Sequence, residues 1–164
     1  MSLTVLAWLA VGAYALHILE EHILGWFAWA KKTMNLSMDW DTYTTVEVVF
    51  LILGAVAAML APAMPMLALG FIAMLAINGF FFHLLPMLIN GFQFSPGVIS
   101  GVFLFFSLAY YAFRDSGVSQ ATMIWSILIG AAMILWPMLL LWLKAQPYFS
   151  GADATPRKLA KRRR

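Results

Sequence analysis

Five long apolar segments alternate with short polar stretches along the chain. They cover roughly residues 3–30, 44–61, 66–89, 96–113 and 120–144. A helix needs about 20 predominantly apolar residues to cross the hydrocarbon core of a membrane. The pattern therefore predicts an all-α fold, a polytopic membrane bundle of five transmembrane helices within residues 1–146. Residues 147–164 are expected to form a polar tail.

Short-range signals mark several of the helix ends. The first segment ends at Lys31 and Lys32, and the nearby Trp26 and Trp29 indicate a membrane–water interface there. The pair Ser95 and Pro96 predicts a helix start, with Ser95 as the N-cap and Pro96 at the first helical position. Pro137 predicts a kink inside the fifth helix, because proline removes a backbone donor.

Composition excludes a soluble domain and several kinds of site. Hydrophobic residues make up 63% of the chain and charged residues 10%, whereas soluble domains carry about 25% charged residues. There are no cysteines, which excludes disulfides, iron–sulfur clusters and thiolate metal sites. We therefore expect an integral membrane protein.

The basic residues predict how the bundle is oriented. With five spans, the loop after the first helix lies on the same side as the C-terminal tail. That side carries Lys31, Lys32, Lys144 and the basic tail, and the other side carries Arg114. Positive residues favour the cytoplasm, so the C-terminus is expected there and the N-terminus outside. The basic residues of the tail predict that it contacts anionic membrane lipid. We expect no binding of nucleic acid, because no folded basic surface accompanies the tail.

Ionisable residues inside the apolar segments are the main candidates for function. The first segment contains His17, Glu20, Glu21 and His22. An acidic residue at the centre of a membrane helix costs about 2.5 to 3.5 kcal/mol, so such residues mark a functional site by default.

Depth along the helices brings polar residues of three segments to one level. At 1.5 Å per residue, Glu20 lies about 16 Å from the cytoplasmic end of its segment. Glu47 lies about 9 Å and His83 about 10 Å from the cytoplasmic ends of theirs. These residues are therefore predicted to meet in the cytoplasmic leaflet.

The residue types and their spacing favour a metal site. His17, Glu20 and Glu21 share a 100° arc of one helix, and helical bundles bind metal pairs with similar Glu and His combinations. Nitrogen and oxygen donors suit iron, manganese or zinc. We predict a divalent metal site, dinuclear in preference to mononuclear, that holds Fe or Zn and has Glu20, Glu21 and His83 as catalytic residues. The predicted ligands are His17, Glu20, Glu21, Glu47 and His83, with Tyr14, His22 and Asn78 as their outer neighbours.

The third segment needs a local irregularity to contribute two of these residues. Asn78 and His83 lie 140° apart on a regular helix. Pro86 leaves the carbonyl of Phe82 without its helical donor, which predicts a π-bulge between Asn78 and His83. That bulge would turn both side chains toward one site.

Each of these residues also has a structural interpretation. Glu20 and Glu21 could be protonated and serve packing alone. Glu47 could cap Thr44 in a capping box. His83 could be a core histidine bonded to a carbonyl, and His22 points away from His17 and could serve packing.

A short set of motifs resembles the bacterial membrane protein family that is named for its HxxEE motif. The resemblance covers roughly residues 13–111 and implies a site at the motif and a bacterial inner-membrane location. Because the family is named for a motif, it implies no reaction. The positions that carry the resemblance are His17, Glu20, Glu21, Asn78, His83, Ser95, Pro96 and Gly97.

Three classes of function remain open at the level of sequence. The first is a membrane metalloenzyme acting on a lipid or isoprenoid-like hydrophobic molecule, an oxidoreductase with iron in preference to a hydrolase with zinc. The second is a metal-free acid–base enzyme such as a glutamate protease or an isoprenoid cyclase. The third is a non-catalytic module, either a proton or metal-ion conduit or a subunit of a homo-oligomer or a larger membrane complex.

Overall fold

The computed structural model describes residues 1–36 and 38–144, without the side chain of Lys144. Within these ranges the chain is helical and contains no strand, and five helices are long and apolar enough to cross a membrane, as predicted. The predicted tail over residues 147–164 lies outside the described residues. The six helices are α1 Leu3–Leu24, α2 Trp26–Thr33, α3 Trp40–Leu60, α4 Pro65–Ile89, α5 Val98–Asp115 and α6 Gln120–Lys144.

The first apolar segment forms two helices, so the prediction of a single helix over residues 3–30 is wrong. Gly25 ends α1 in the left-handed conformation, with φ 76°, and its N–H donates to the carbonyl of Glu21. Glycine adopts this conformation without the steric cost of a Cβ atom, which makes it a common helix terminator. The short helix α2 then carries Lys31 and Lys32 in its last turn.

Helix α3 begins at Trp40, four residues before the predicted start. Its N-cap is Asp39, whose carboxylate accepts a 2.7 Å hydrogen bond from the N–H of Thr42. Thr44 consequently lies inside the helix, so the alternative in which Glu47 caps Thr44 is wrong. The Glu47 side chain is available for contacts with other helices.

Helix α4 contains the irregularity that the sequence predicted. Residues Gly79–Leu84 form a π-helical segment, and the N–H of Leu85 donates to the carbonyl of Phe80, five residues earlier. Pro86 follows directly and has no N–H to give to the preceding turn. The π-bulge between Asn78 and His83 is therefore confirmed.

A second π-helical segment, Gly101–Phe105, lies in α5 and was not predicted. The two segments begin at glycines that touch each other. A Cβ atom on Gly79 would lie 2.7 Å from the carbonyl oxygen of Gly101, and one on Gly101 would lie 3.1 Å from the Cα of Gly79. The backbones of α4 and α5 thus cross in direct contact where both helices are irregular.

Helix α4 occupies the centre of the bundle and contacts α1, α3, α5 and α6. Its residues 68–75 are all buried. Around it, Tyr14, Phe50, Phe71 and Phe105 form the largest group of buried aromatic side chains. Helix α6 packs mainly on α4, with Gly130 against the backbone of Gly70, and leaves most of its surface exposed, as expected of a lipid-facing helix.

Candidate metal centre

Three buried ionisable side chains converge between α1 and α4. His17 and Glu21 lie one turn apart on α1, and His83 comes from the π segment of α4. The Oε1 atom of Glu21 lies 3.5 Å from Nε2 of His17 and 3.3 Å from Nε2 of His83. The three side chains are at most 3% exposed, and their three ligand atoms lie within 4.8 Å of one another. We call His17, Glu21 and His83 the buried triad.

The π segment is what brings His83 and Asn78 to the same side of α4. The Nδ2 atom of Asn78 lies 3.4 Å from Nε2 of His17, while the ring of His83 lies edge-on to the ring of His17 at 4.7 Å between centroids. A regular helix would point Asn78 and His83 140° apart. Asn78, which the sequence offers as an outer neighbour of the site, thus lies beside His17.

The partners of His17 determine which of its ring nitrogens carries the proton. Nδ1 lies 2.7 Å from Oγ of Ser100, and that hydroxyl lies 2.5 Å from a carboxylate oxygen of Glu20. The single hydroxyl hydrogen goes to the carboxylate, which can only accept. Ser100 therefore accepts from the Nδ1–H of His17, and Nε2 of the neutral ring presents a lone pair to the triad.

The same reasoning applies to His83. Its Nδ1 lies 2.6 Å from the carbonyl oxygen of Pro96, and a carbonyl can only accept, so Nδ1 carries the proton. In the neutral imidazole, which carries a single proton, Nε2 is then the acceptor. This buried atom has no hydrogen-bond partner among the described residues.

The three ligand atoms are not hydrogen-bonded to one another, although Nδ2 of Asn78 lies 3.4 Å from Nε2 of His17, and such a group of acceptors fits a bound cation. N–H···O hydrogen bonds measure about 2.7 to 3.2 Å, and both histidine–carboxylate separations are longer. Ligands at about 2.0 to 2.1 Å from a tetrahedral zinc are separated by about 3.3 Å, which is close to both distances. Nitrogen, oxygen and nitrogen donors also match the preferences of divalent transition metals. The buried triad could therefore hold one metal ion.

The structure does not bring Glu20 into this group. Its carboxylate accepts hydrogen bonds from the backbone N–H groups of Gly97, Ile99 and Ser100 and from the hydroxyl of Ser100, at 2.5 to 3.2 Å. Glu20 thus caps the N-terminus of α5 from a neighbouring helix. Its neighbour Glu21, on the other side of the same arc, is the carboxylate of the triad.

Glu47 lies close to the triad without joining it. Its Oε2 accepts a 2.6 Å hydrogen bond from the hydroxyl of Tyr14, and the ring of Tyr14 stacks on His17. A second tyrosine, Tyr43, donates to Oε2 of Glu21 at 3.0 Å and leaves Oε1 facing the histidines. The prediction of Tyr14 as an outer neighbour agrees with these contacts.

His22 lies apart from the triad. It is exposed and packs against the ring of Trp40, with 5.3 Å between the ring centroids. The structure therefore gives it no place among the ligands or their neighbours.

A cavity adjoins the triad at Glu21. Its volume is about 70 Å³, and aromatic and aliphatic side chains from α2, α3, α4 and α6 form most of its walls. Glu47 and Asn78 also line it, and Pro137 and Leu141 of α6 form part of its outer wall. The cavity gives the triad access to a space between the helices.

Ser100, the carbonyl of Pro96 and Tyr43 are site residues that the sequence did not indicate. The expected helix start at Ser95 and Pro96 is wrong, because α5 begins at Val98 after Gly97 in the left-handed region, with φ 90°. Ser95 is buried instead, with its hydroxyl 3.5 Å from Nδ1 of His83. The loop before α5 therefore belongs to the site.

The chain was compared with family models, curated proteins and solved structures. The family model described as "Protein of unknown function with HXXEE motif" matches residues 8–112. No curated protein and no solved structure matches the chain. The matched region contains most of α1, all of α2, α3 and α4, the buried triad and most of α5. Because the match covers more than half of the chain, this protein belongs to the HXXEE-motif family.

Proposed function

We propose that this protein is a membrane-embedded metalloenzyme that binds one divalent transition metal at the buried triad. The observation that carries the proposal is the convergence of three acceptor atoms, Nε2 of His17, Oε1 of Glu21 and Nε2 of His83. In the neutral tautomers that carry the proton on Nδ1, neither Nε2 atom donates to Glu21. A cation removes the repulsion between their lone pairs.

One ion fits the described residues better than two. A second ion would need further carboxylates, as in the dinuclear sites of helical bundles. Glu20 is fully engaged by backbone and hydroxyl donors, and Glu47 accepts from Tyr14. We therefore propose a mononuclear centre with two histidines and one carboxylate.

This ligand set is used by two kinds of metalloenzyme. Two histidines and one carboxylate hold Fe(II) in non-haem oxygenases and Zn²⁺ in several hydrolases, where the ion supplies oxygen activation or water activation respectively. The apolar walls of the cavity favour the oxidoreductase. Tyr14 and Glu47 both line the cavity, and the Tyr14 hydroxyl donates to Glu47 at 2.6 Å, so this pair is placed to deliver or accept a proton.

The surroundings of the cavity support a hydrophobic substrate that arrives from the membrane. Its walls include Trp26, Phe50, Phe82 and Leu141. A volume of about 70 Å³ holds a few small groups, so a lipid or isoprenoid-like molecule would insert only one end. We place the site in the cytoplasmic half of a bacterial inner membrane, on the side of Lys31 and Lys32.

Metal analysis tests the proposal. Detergent-purified protein, loaded with Fe(II) or Zn²⁺ and freed of unbound metal, is expected to retain about one equivalent by mass spectrometry. His83→Ala should lose it, and His22→Ala, an exposed histidine outside the triad, should keep it. Retention by His83→Ala, or no retention by the parent protein, would contradict the proposal. The second result would favour the metal-free acid–base enzyme.

A further inference from the structure

Glu20 lies outside the buried triad but is hydrogen-bonded to the segment that contacts the two histidines of the triad. The Glu20 carboxylate, within the membrane helix α1, accepts three hydrogen bonds from the first turn of α5 and one from Gly97, the residue before it, although neither helix needs a charged group to pack. Through these bonds it contacts the segment 97–100, and that segment touches both histidines of the triad.

The first connection runs to His17. The hydroxyl of Ser100 donates to Glu20 and accepts from Nδ1 of His17, so Glu20 determines the direction of the serine hydroxyl. Without a carboxylate, the same hydroxyl could donate to Nδ1 instead. His17 would then carry its proton on Nε2, the atom that faces the triad.

The second connection runs to His83. The N–H of Gly97 donates to Glu20, and the carbonyl of the preceding residue, Pro96, accepts from Nδ1 of His83. Gly97 itself lies against both rings, since a Cβ atom there would be 2.5 Å from Cε1 of His83 and 2.8 Å from Cε1 of His17. A hydrogen bond that holds Gly97 in place therefore also holds the backbone against which both imidazole rings pack.

We infer that Glu20 is a positioning residue that holds both histidines of the triad in the tautomer with Nε2 free, through Ser100 and through the Pro96 carbonyl. This inference rests on the proposed metal site for its purpose, but the tautomers exist in the metal-free protein. It also accounts for two adjacent glutamates in the motif. One faces the triad, and the other fixes the helix that orients the histidines.

Nitrogen NMR of histidine tautomers tests this directly. The chain has three histidines, so selective ¹⁵N labelling gives an assignable spectrum, with exposed His22 as an internal reference. At about pH 8.5, where free imidazole is neutral, His17 and His83 of the metal-free protein should both show a protonated Nδ1 and a bare Nε2. Glu20→Ala should shift His17 toward the other tautomer and broaden the signals of His83.

A matched variant separates the two connections. Ser100→Ala removes the link to His17 and keeps the backbone donors to Glu20, so only the His17 signals should change. Metal affinity should fall about 10- to 100-fold in Glu20→Ala, the usual effect of removing an outer partner of a metal ligand. Glu20→Gln should be milder, because its amide oxygen still accepts backbone donors.

Two results would overturn the inference. One is an unchanged His17 tautomer in both Glu20→Ala and Ser100→Ala. The other is loss of metal in Glu20→Ala with both tautomers preserved, which is the behaviour of a direct ligand. If the parent protein binds no metal, the tautomer measurements still decide the role of Glu20, so this inference and the proposed function fail separately.

Discussion

Nε2 of His83 lies 3.3 Å from Oε1 of Glu21, with no hydrogen bond joining the two atoms. The Nδ1 proton of His83 is already donated to the carbonyl of Pro96, so nothing in the neutral ring can bridge the gap. Leaving a buried acceptor unsatisfied costs about 1 to 3 kcal/mol. A metal ion bound at this point would remove that cost, which is the reason why we propose one where two imidazoles and a carboxylate meet inside an apolar bundle.

Gly97 should tolerate no side chain. Gly97→Ala puts a Cβ atom against both imidazoles and strains a residue with φ 90°. We expect about 3 kcal/mol or more of destabilisation and loss of metal retention. Thermal unfolding in detergent and metal analysis measure the two effects.

Gly91→Ala is the matched control for Gly97→Ala. Gly91 also has a positive φ, 69°, but a Cβ atom there would meet nothing within 4 Å. Only the backbone strain of about 1 kcal/mol should appear, with metal retention intact. Equal losses in both variants would mean that the contact with the histidines is not the cause.

The crossing of the two π segments should be equally sensitive. In Gly79→Ala the new methyl group meets the backbone of Gly101, which cannot move aside as a side chain could. We expect about 2 kcal/mol or more of destabilisation, whereas Gly12→Ala, in open space on α1, should be neutral or stabilising by up to about 1 kcal/mol. Unfolding midpoints that agree between the two variants would contradict the close contact.

Glu47→Gln should keep the metal. Glu47 bonds to Tyr14 and lies outside the group of atoms that could bind the ion. Metal content of the variant should equal that of the parent protein, whereas Glu21→Gln should lose it. A metal-depleted Glu47→Gln would restore Glu47 as a ligand, as the sequence first suggested.

The Tyr14–Glu47 bond can be measured through stability as well. In a double-mutant cycle with Tyr14→Phe and Glu47→Gln, the coupling free energy should be about 1 to 3 kcal/mol, since the acceptor of the 2.6 Å bond is a partly buried carboxyl oxygen. Additive effects of the two substitutions would show that the bond contributes nothing.

Membrane orientation can be tested with single cysteines, because the chain has none of its own. Asp41 and Gln120 are exposed residues in the first turns of α3 and α6, which begin at opposite membrane surfaces in a five-span bundle. An impermeant maleimide should label Gln120→Cys in intact cells and Asp41→Cys only after permeabilisation. The reverse pattern would invert the topology.

The membrane bundle and part of the site followed from sequence because their causes are local. The lengths of the apolar segments predict the five membrane-spanning helices. The π segment is predicted by Pro86 together with the 140° that separates Asn78 from His83 on a regular helix. The motif placed His17 and Glu21 on one face of α1, where the structure has them.

The sequence did not show that Glu20 and Glu21 have different partners. Glu20 and Glu21 flank His17 on a helical wheel, and only the packing of α5 decides that Glu20 meets backbone donors while Glu21 meets His83. Ser100 was missed for the same reason, because a lone serine in an apolar helix carries no local signal. The helix end at Gly25 was missed because the hydropathy of the segment does not change where the backbone becomes left-handed.

X-ray absorption at the metal edge of the Fe- or Zn-loaded protein tests the central claim most directly. The buried triad predicts a first shell of nitrogen and oxygen at about 2.0 to 2.1 Å, with the outer-shell scattering of about two imidazoles. In Glu20→Ala the shell should keep both imidazoles at reduced occupancy, and in His83→Ala at most one imidazole should remain. A shell of oxygen alone, or the same two imidazoles in His83→Ala, would contradict metal binding by His17, Glu21 and His83.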